Sequence, residues 1–145
     1  TASNIETRIY QEAIKYTDHI FADLKIIDSD AHKKYTGVGN ELIKTNLKWL
    51  LSSKKAENVV IRTPLIPGIT TSEENIAGIA KFITDIYPDV KYELLNYNPL
   101  AQGKYEMIDK EFCFEDNPPL YSDDQMRAFG KIATDNGVKN LLLEI

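Results

Sequence analysis

A carboxylate, an ammonium and a guanidinium stand at the ends of short, apolar, β-prone runs. Asp23-Leu24-Lys25 closes the first run, His19 to Leu24, and Arg62 lies near the end of the second, Asn58 to Thr63. The third, Lys91 to Leu95, leads into Asn96-Tyr97-Asn98. In parallel α/β architectures ligands bind outside the carboxyl ends of the strands, so these residues would share one rim. Alternation along a strand would put Asp23 and Lys25 on the same side. Such a rim suits a polar ligand bearing both charges, an amino acid or a nucleoside. Plainer roles also fit. Asp23 and Lys25 would form a local ion pair contributing ~0–1 kcal/mol. Arg62 would be solvated or paired with a carboxylate, and Pro64 and Pro67 would stiffen a loop.

The elements that must position these groups alternate along the chain. Ser3 and Glu6 have capping-box spacing and open a helix over roughly residues 4–17, with Ile9, Ala13 and Ile14 inward. Residues 28–37 form a short helical turn stopped at Gly37. Asn40 then caps a helix with Leu42, Ile43, Leu47, Leu50 and Leu51 on its inner side. Thr71 and Glu74 fit a second capping box, followed by Ile76, Ile79, Ala80, Ile83 and Ile86 at helical spacing. Residues 96–121 carry Pro99, Gly103, Pro118 and Pro119 and little periodicity, so they read as one long irregular segment, functional or poorly ordered. Ser122 with Gln125 caps a last helix, with Met126, Phe129 and Ala133 inward and Gly137 as its stop, before a final strand, Asn140 to Ile145. Strands separated by helices of this length imply parallel pairing with right-handed crossovers.

Composition bounds the rest. The chain has 145 residues, enough for one domain over 1–145 and too few for a complete eight-unit barrel of about 250 residues. With 43% apolar and 27% charged residues it should bury a core. No apolar run approaches the ~20 residues that span a bilayer, so no membrane contact is expected. Net charge is −5, against a nucleic-acid footprint. The single cysteine, Cys113, can close no intrachain disulfide and cannot by itself hold a zinc or iron–sulfur site; it reads as an inert thiol in a reducing, cytoplasmic setting. His19 and His32 are the only histidines, so a self-contained transition-metal site is not expected. The chain starts at Thr1 with no basic-then-apolar signal segment, and reads as a piece of something longer.

Three motifs in order carry a resemblance. Asp23-Leu24-Lys25, His32, Tyr35-Thr36-Gly37 and Asn40 look like the DLK…H…TG…N pattern of glycyl-radical-enzyme activating enzymes, radical S-adenosylmethionine proteins of the pyruvate formate-lyase activating enzyme type. Arg62-Thr63-Pro64-Leu65-Ile66-Pro67-Gly68 resembles the family's R-x-P-L-I-P-G segment. Glu93 to Leu100, with Lys104-Tyr105, resembles its LLPYHPLG…KY segment, and Ser72-Glu73-Glu74-Asn75-Ile76 fits the stretch between. Order and spacing agree over about residues 19–105.

The resemblance implies a partial (β/α) barrel, of about six units in the family. It implies S-adenosylmethionine and a 4Fe–4S cluster held by three cysteines spaced C-x3-C-x2-C. Reductive cleavage of S-adenosylmethionine there yields a 5′-deoxyadenosyl radical that takes hydrogen from a glycine of the partner, pyruvate formate-lyase or a related glycyl radical enzyme, with an electron donor such as flavodoxin. Carried over by residue, Asp23 and Lys25 would hold the ribose hydroxyls and the methionine carboxylate, and Asp23 could also bind a monovalent cation. Arg62 would support the same anionic end, Leu65, Ile66, Pro67 and Gly68 would lie along the adenine, and Asn98 stands where many relatives have a histidine near it. His32, Thr36, Gly37 and Asn40 are assigned to structure, and Lys104 and Tyr105 to a surface loop.

The cluster motif and the family's glycine-rich segment are missing from this sequence. The chain therefore reads as the carboxyl-terminal half of an activating enzyme from anaerobic metabolism, inactive alone and retaining no cofactor by itself. Half a barrel would leave its first strand with an open edge and its inner face uncovered, so self-association is expected. The rival reading is a stand-alone α/β binding or scaffold module without radical chemistry. An in-frame C-x3-C-x2-C upstream of Thr1 would separate the two.

Overall fold

A computed structural model of the chain describes residues 1–145 except Ala2, Ile108, Lys110, Cys113 and Ile145, and except the side chains of Ala101, Lys104 and Glu106. The readings of Cys113 and of the Lys104 side chain fall outside the described residues. Four strands form one sheet: β1 (Ile20–Asp23), β2 (Val59–Pro64), β3 (Lys91–Leu95) and β4 (Asn140–Leu143). Their order is β1-β2-β3-β4 and every neighbouring pair is parallel. A doubly wound sheet would reverse its order partway, whereas sequential order is that of a (β/α) barrel, here opened out. The described strands thus form a partial barrel.

Among the described residues six α-helices accompany them: α1 (Thr7–Lys15), α2 (Ser29–Thr36), α3 (Glu41–Leu51), α4 (Glu73–Ile86), α5 (Ala101–Glu106) and α6 (Asp123–Asp135). Alternate strand residues, Ile20, Ala22, Val59, Ile61, Tyr92 and Leu94, are buried against Leu47, Leu50, Ile76, Ile79, Ile83 and Met126 of the helices. Neighbours α1 and α3, α3 and α4, and α4 and α6 pack side by side, so these helices cover one face. The other strand residues, among them Phe21, Asp23, Val60, Arg62, Glu93, Leu95 and Leu142, lie on the opposite face and are partly or well exposed. Among the described residues no helix is long and apolar enough to cross a membrane.

Several local expectations need correction. Ser3 does not cap α1. Its backbone has φ 54°, its hydroxyl donates to the Tyr10 hydroxyl, and Glu6 precedes the helix without a side-chain cap. Tyr10 and Ile14 are the buried residues of α1, while Ile9 and Ala13 are exposed. Ser72, not Thr71, caps α4 by accepting from the Asn75 N–H, and Glu74 takes no part in that cap. Leu42 is exposed. Residues 96–121 are not wholly irregular, because α5 lies within them, and Tyr105 stands on that helix. Two expectations hold as stated: Gly37 stops α2 in the left-handed region at φ 83°, and Ser122 with Gln125 forms a reciprocal capping box.

Candidate functional site

The inner-face residues at the carboxyl ends of β1 and β2 meet across the strand pair. Asp23 and Arg62 are register partners, and Glu93 of β3 is the next residue along the same row. The Arg62 guanidinium donates through Nε (3.1 Å) and Nη2 (3.0 Å) to one oxygen of Asp23. Both side chains remain about a quarter exposed. The guanidinium also lies over the Phe21 ring, 5.0 Å from its centre. The carboxylate-paired reading of Arg62 is therefore the observed one, and the expected Asp23–Lys25 pair is not formed. The reason is geometric. β1 ends at Asp23, so Lys25 has left the strand before alternation could align the two. The Lys25 ammonium has no anionic partner among the described residues.

Lys25 is held through its backbone. Two buried amides grip the segment that follows β1. Asn75 accepts from the Ile27 N–H (2.8 Å) and donates to the Lys25 carbonyl (2.9 Å) and the Thr70 carbonyl (2.9 Å). Asn40 donates to the carbonyls of Ile26 (2.7 Å) and Ile27 (3.0 Å). Asn40 therefore makes no side-chain cap for α3, a further correction. Beneath this segment the Tyr92 hydroxyl donates to Thr63 Oγ1 (2.9 Å), which donates to the Leu24 carbonyl (2.6 Å). Burial pushes the Tyr92 phenol well above its ordinary pKa, partly offset by that bond. His32 is buried and bonds through Nδ1 to the Val38 carbonyl (2.7 Å), a structural tie that matches its expected role.

The loop after β2 is equally tied. Thr70 is buried, its hydroxyl donates to the Pro64 carbonyl (2.6 Å) and accepts from the Ile66 N–H (2.7 Å). Pro67 and Gly68 occupy the middle of the turn closed by the Ile69 N–H on the Ile66 carbonyl, with Gly68 at φ 70°, a turn that calls for glycine. The Leu65 side chain is fully buried, so only its backbone and Ile66 face the rim.

Beyond β2 and β3 lies a cleft of about 800 Å³, lined largely by apolar and aromatic residues including Ile66, Leu95, Tyr97, Tyr105, Phe112 and Phe114, with Asn96, Asn98 and Glu144 as its polar members. Tyr97, Phe114, Phe112 and Tyr105 run edge to face, each centre 5.4–5.8 Å from the next. Asn98 reaches the cleft, but its oxygen accepts from the Leu100 N–H. The structure thus brings Asp23 to Arg62 and Leu65 and Ile66 to Asn98, while Pro67 and Gly68 do not line the cleft. Thr70 and Asn75 were missed as positioning residues. A capping serine followed by asparagine at the third helical residue was the available signal.

The fold is an open, sequentially ordered parallel α/β sheet with polar groups at the strands' carboxyl ends. Two solved structures share it. One is a domain of pyruvate-formate lyase-activating enzyme from Bacteroides vulgatus, with TM-score 0.66 and 23% identity, covering 97% of this chain and 75% of that one. The other is a radical SAM methyltransferase from Sphaerobacter thermophilus, with TM-score 0.62 and 14% identity, covering 96% of this chain and 38% of that one.

Sequence relatives narrow the class. The chain is 37% identical over 131 residues to the choline trimethylamine-lyase activating enzyme of Oleidesulfovibrio alaskensis, covering 88% of this chain and 41% of that protein. It is 36% identical over 139 residues to the indoleacetate decarboxylase activating enzyme of Tractidigestivibacter scatoligenes, covering 95% and 43%. No family model matches. The chain is homologous, over part of their length, to the glycyl-radical-enzyme activating enzymes, and it spans less than half of these relatives.

Proposed function

We propose that this chain is the carboxyl-terminal part of a glycyl-radical-enzyme activating enzyme, and that its own task is to hold S-adenosylmethionine. The observation that carries this is the Asp23–Arg62 pair at the strands' carboxyl ends, with the Lys25 ammonium close beyond it in sequence and unpaired among the described residues. Lys25 and the free N–H groups of Arg62 would meet the methionine carboxylate, where a planar guanidinium fork suits the geometry. The Asp23 oxygen that Arg62 leaves free would accept from a ribose hydroxyl or help bind a monovalent cation. Ile66 and Asn98 would flank the adenine at the apolar cleft, with Pro67 and Gly68 shaping the turn that carries Ile66. The radical chemistry is the cofactor's, and the chain's residues bind, orient and exclude water.

A 4Fe–4S cluster does not fit the residues present. The sequence has one cysteine where three thiolates are needed, and the described residues contain no group of three His, Cys, Asp or Glu able to hold a metal. We assign the cluster to a segment outside this chain. The partner would be a glycyl radical enzyme, and a donor such as flavodoxin would reduce the cluster of the parent protein, in the cytoplasm. The uncovered inner face, with Phe21, Val60, Leu95 and Leu142, would be closed by the rest of the barrel, and by a second copy when this chain is alone. A strictly monomeric species in sedimentation at micromolar concentration would contradict that self-association.

The test is titration with S-adenosylhomocysteine followed by NMR. Weak, saturable shifts at Asp23, Lys25 and Arg62 are expected, and Arg62→Ala should weaken binding by about tenfold. Saturable binding that leaves these three residues unmoved would overturn the assignment. Anaerobic reconstitution with iron and sulfide should yield no cubane EPR signal; one cluster per chain would sink the claim that the cluster ligands lie elsewhere.

A further inference from the structure

We infer that Asn75 is a positioning residue that locks the loop after β1 to the loop after β2, so that Lys25 and the Ile66–Gly68 turn meet the ligand as one rim. Asn75 is buried, and its amide is fully committed across the two loops. It accepts from Ile27 (2.8 Å) and donates to Lys25 on one side and Thr70 on the other (both 2.9 Å). Thr70 passes the tie onward to Pro64 and Ile66 through its hydroxyl. Ser72 fixes the Asn75 backbone at the start of α4. One turn further along the same helix face, Gly78 lets α4 approach closely: a Cβ there would stand 2.9 Å from Ile27 Cγ2. Helix α4 therefore touches the β1 loop through an amide and a missing methyl, three residues apart on one face. Only a carboxamide of this length can accept once and donate twice here. A carboxylate would face two carbonyl oxygens with no proton to offer.

The inference rests on the reading that this rim holds S-adenosylmethionine, and the experiment separates the two. Amide exchange is measured on the wild-type chain and on Asn75→Ala, with S-adenosylhomocysteine as the titrated probe. In the wild type, Ile27 and Ile66 should exchange with equal protection, within about threefold, because they open together. In Asn75→Ala both should exchange about tenfold faster or more, affinity should fall about tenfold, and Lys25→Ala/Asn75→Ala should lose less affinity than the two single losses combined. Independent opening of the two loops in the wild type, differing by about 100-fold, overturns the inference even where the variant does not fold. So does an Asn75→Ala chain with unchanged exchange at Ile27 and Ile66, or full additivity with Lys25→Ala. A wild type that binds no S-adenosylhomocysteine removes the functional reading instead, and the exchange data still decide whether Asn75 couples the loops.

Discussion

The loops after β1 and β2 and the segment after β3 occupy the same rim but are built differently. The first two are tied by buried polar side chains, Asn40, Asn75, Thr63 and Thr70, each bonded to loop backbone. The segment after β3 is held by aromatic edges and by exposed amides. Asn117 there accepts from the Tyr97 hydroxyl and donates to the Pro99 carbonyl, both at 2.7 Å. It also leaves Leu100, Met107 and Leu120 well exposed. A buried hydrogen bond is costly to break, because its partner is stranded out of water, whereas an exposed one is readily replaced by water. The difference teaches where precision is stored: the backbone that carries Lys25 and the turn after β2 is fixed by buried ties, while the cleft wall is adaptable.

Asn40→Ala should give the largest effect. It strands the Ile26 and Ile27 carbonyls, and the Asn40 oxygen itself has no partner among the described residues, so the native amide acts as a pure donor tie. We expect a loss of about 3 kcal/mol in denaturant midpoint analysis. A loss no greater than that of an exposed amide would erase the contrast between the regions. Next comes Thr70→Val, which keeps the shape but takes the hydroxyl from the Pro64 carbonyl and the Ile66 N–H, leaving them their 3.2 Å bond to each other. A loss of about 2 kcal/mol is expected, with faster exchange at Ile66.

The contrast also explains what was legible in the sequence. Strands and helices were, because Val59-Val60-Ile61 and the isoleucines of α4 show their periods directly. Asp23, Arg62 and the Pro67-Gly68 turn were, because charges at strand ends and a proline–glycine pair advertise themselves. The Asp23–Arg62 pairing was not, since it spans 39 residues and follows from register, which neighbouring residues do not encode. Asn40 and Thr70 look like a cap and a loop residue until their long-range partners are known. Helix α5 lies among prolines and glycine, which mask a period over only six residues.

Alkaline pH probes the buried layer beneath the β1 loop. Tyr92 titrates well above its ordinary value of about 10 because burial disfavours the phenolate, and burial raises Tyr10 likewise. The unfolded chain therefore loses these protons first, so stability is complete below about pH 10 and falls as pH rises beyond it. Tyr92→Phe should make that decline shallower by about 1.4 kcal/mol per pH unit. Thr63 would still donate to Leu24, so stability at neutral pH should change less. An unchanged alkaline slope would mean that Tyr92 is not sealed from water.

The smallest effect belongs to the cleft wall. Asn117→Ala removes the bonds to Tyr97, a buried residue whose hydroxyl bond is only part-buried, and to Pro99, whose bond is exposed, so water can take the place of the exposed amide. A loss under about 1 kcal/mol is expected. Its informative consequence is local: exchange should quicken within residues 96–121 while Ile27 and Ile66 keep their protection. Spread of the disturbance to Ile27 would show that the cleft wall and the braced loops open as one unit, and the division between them would fall.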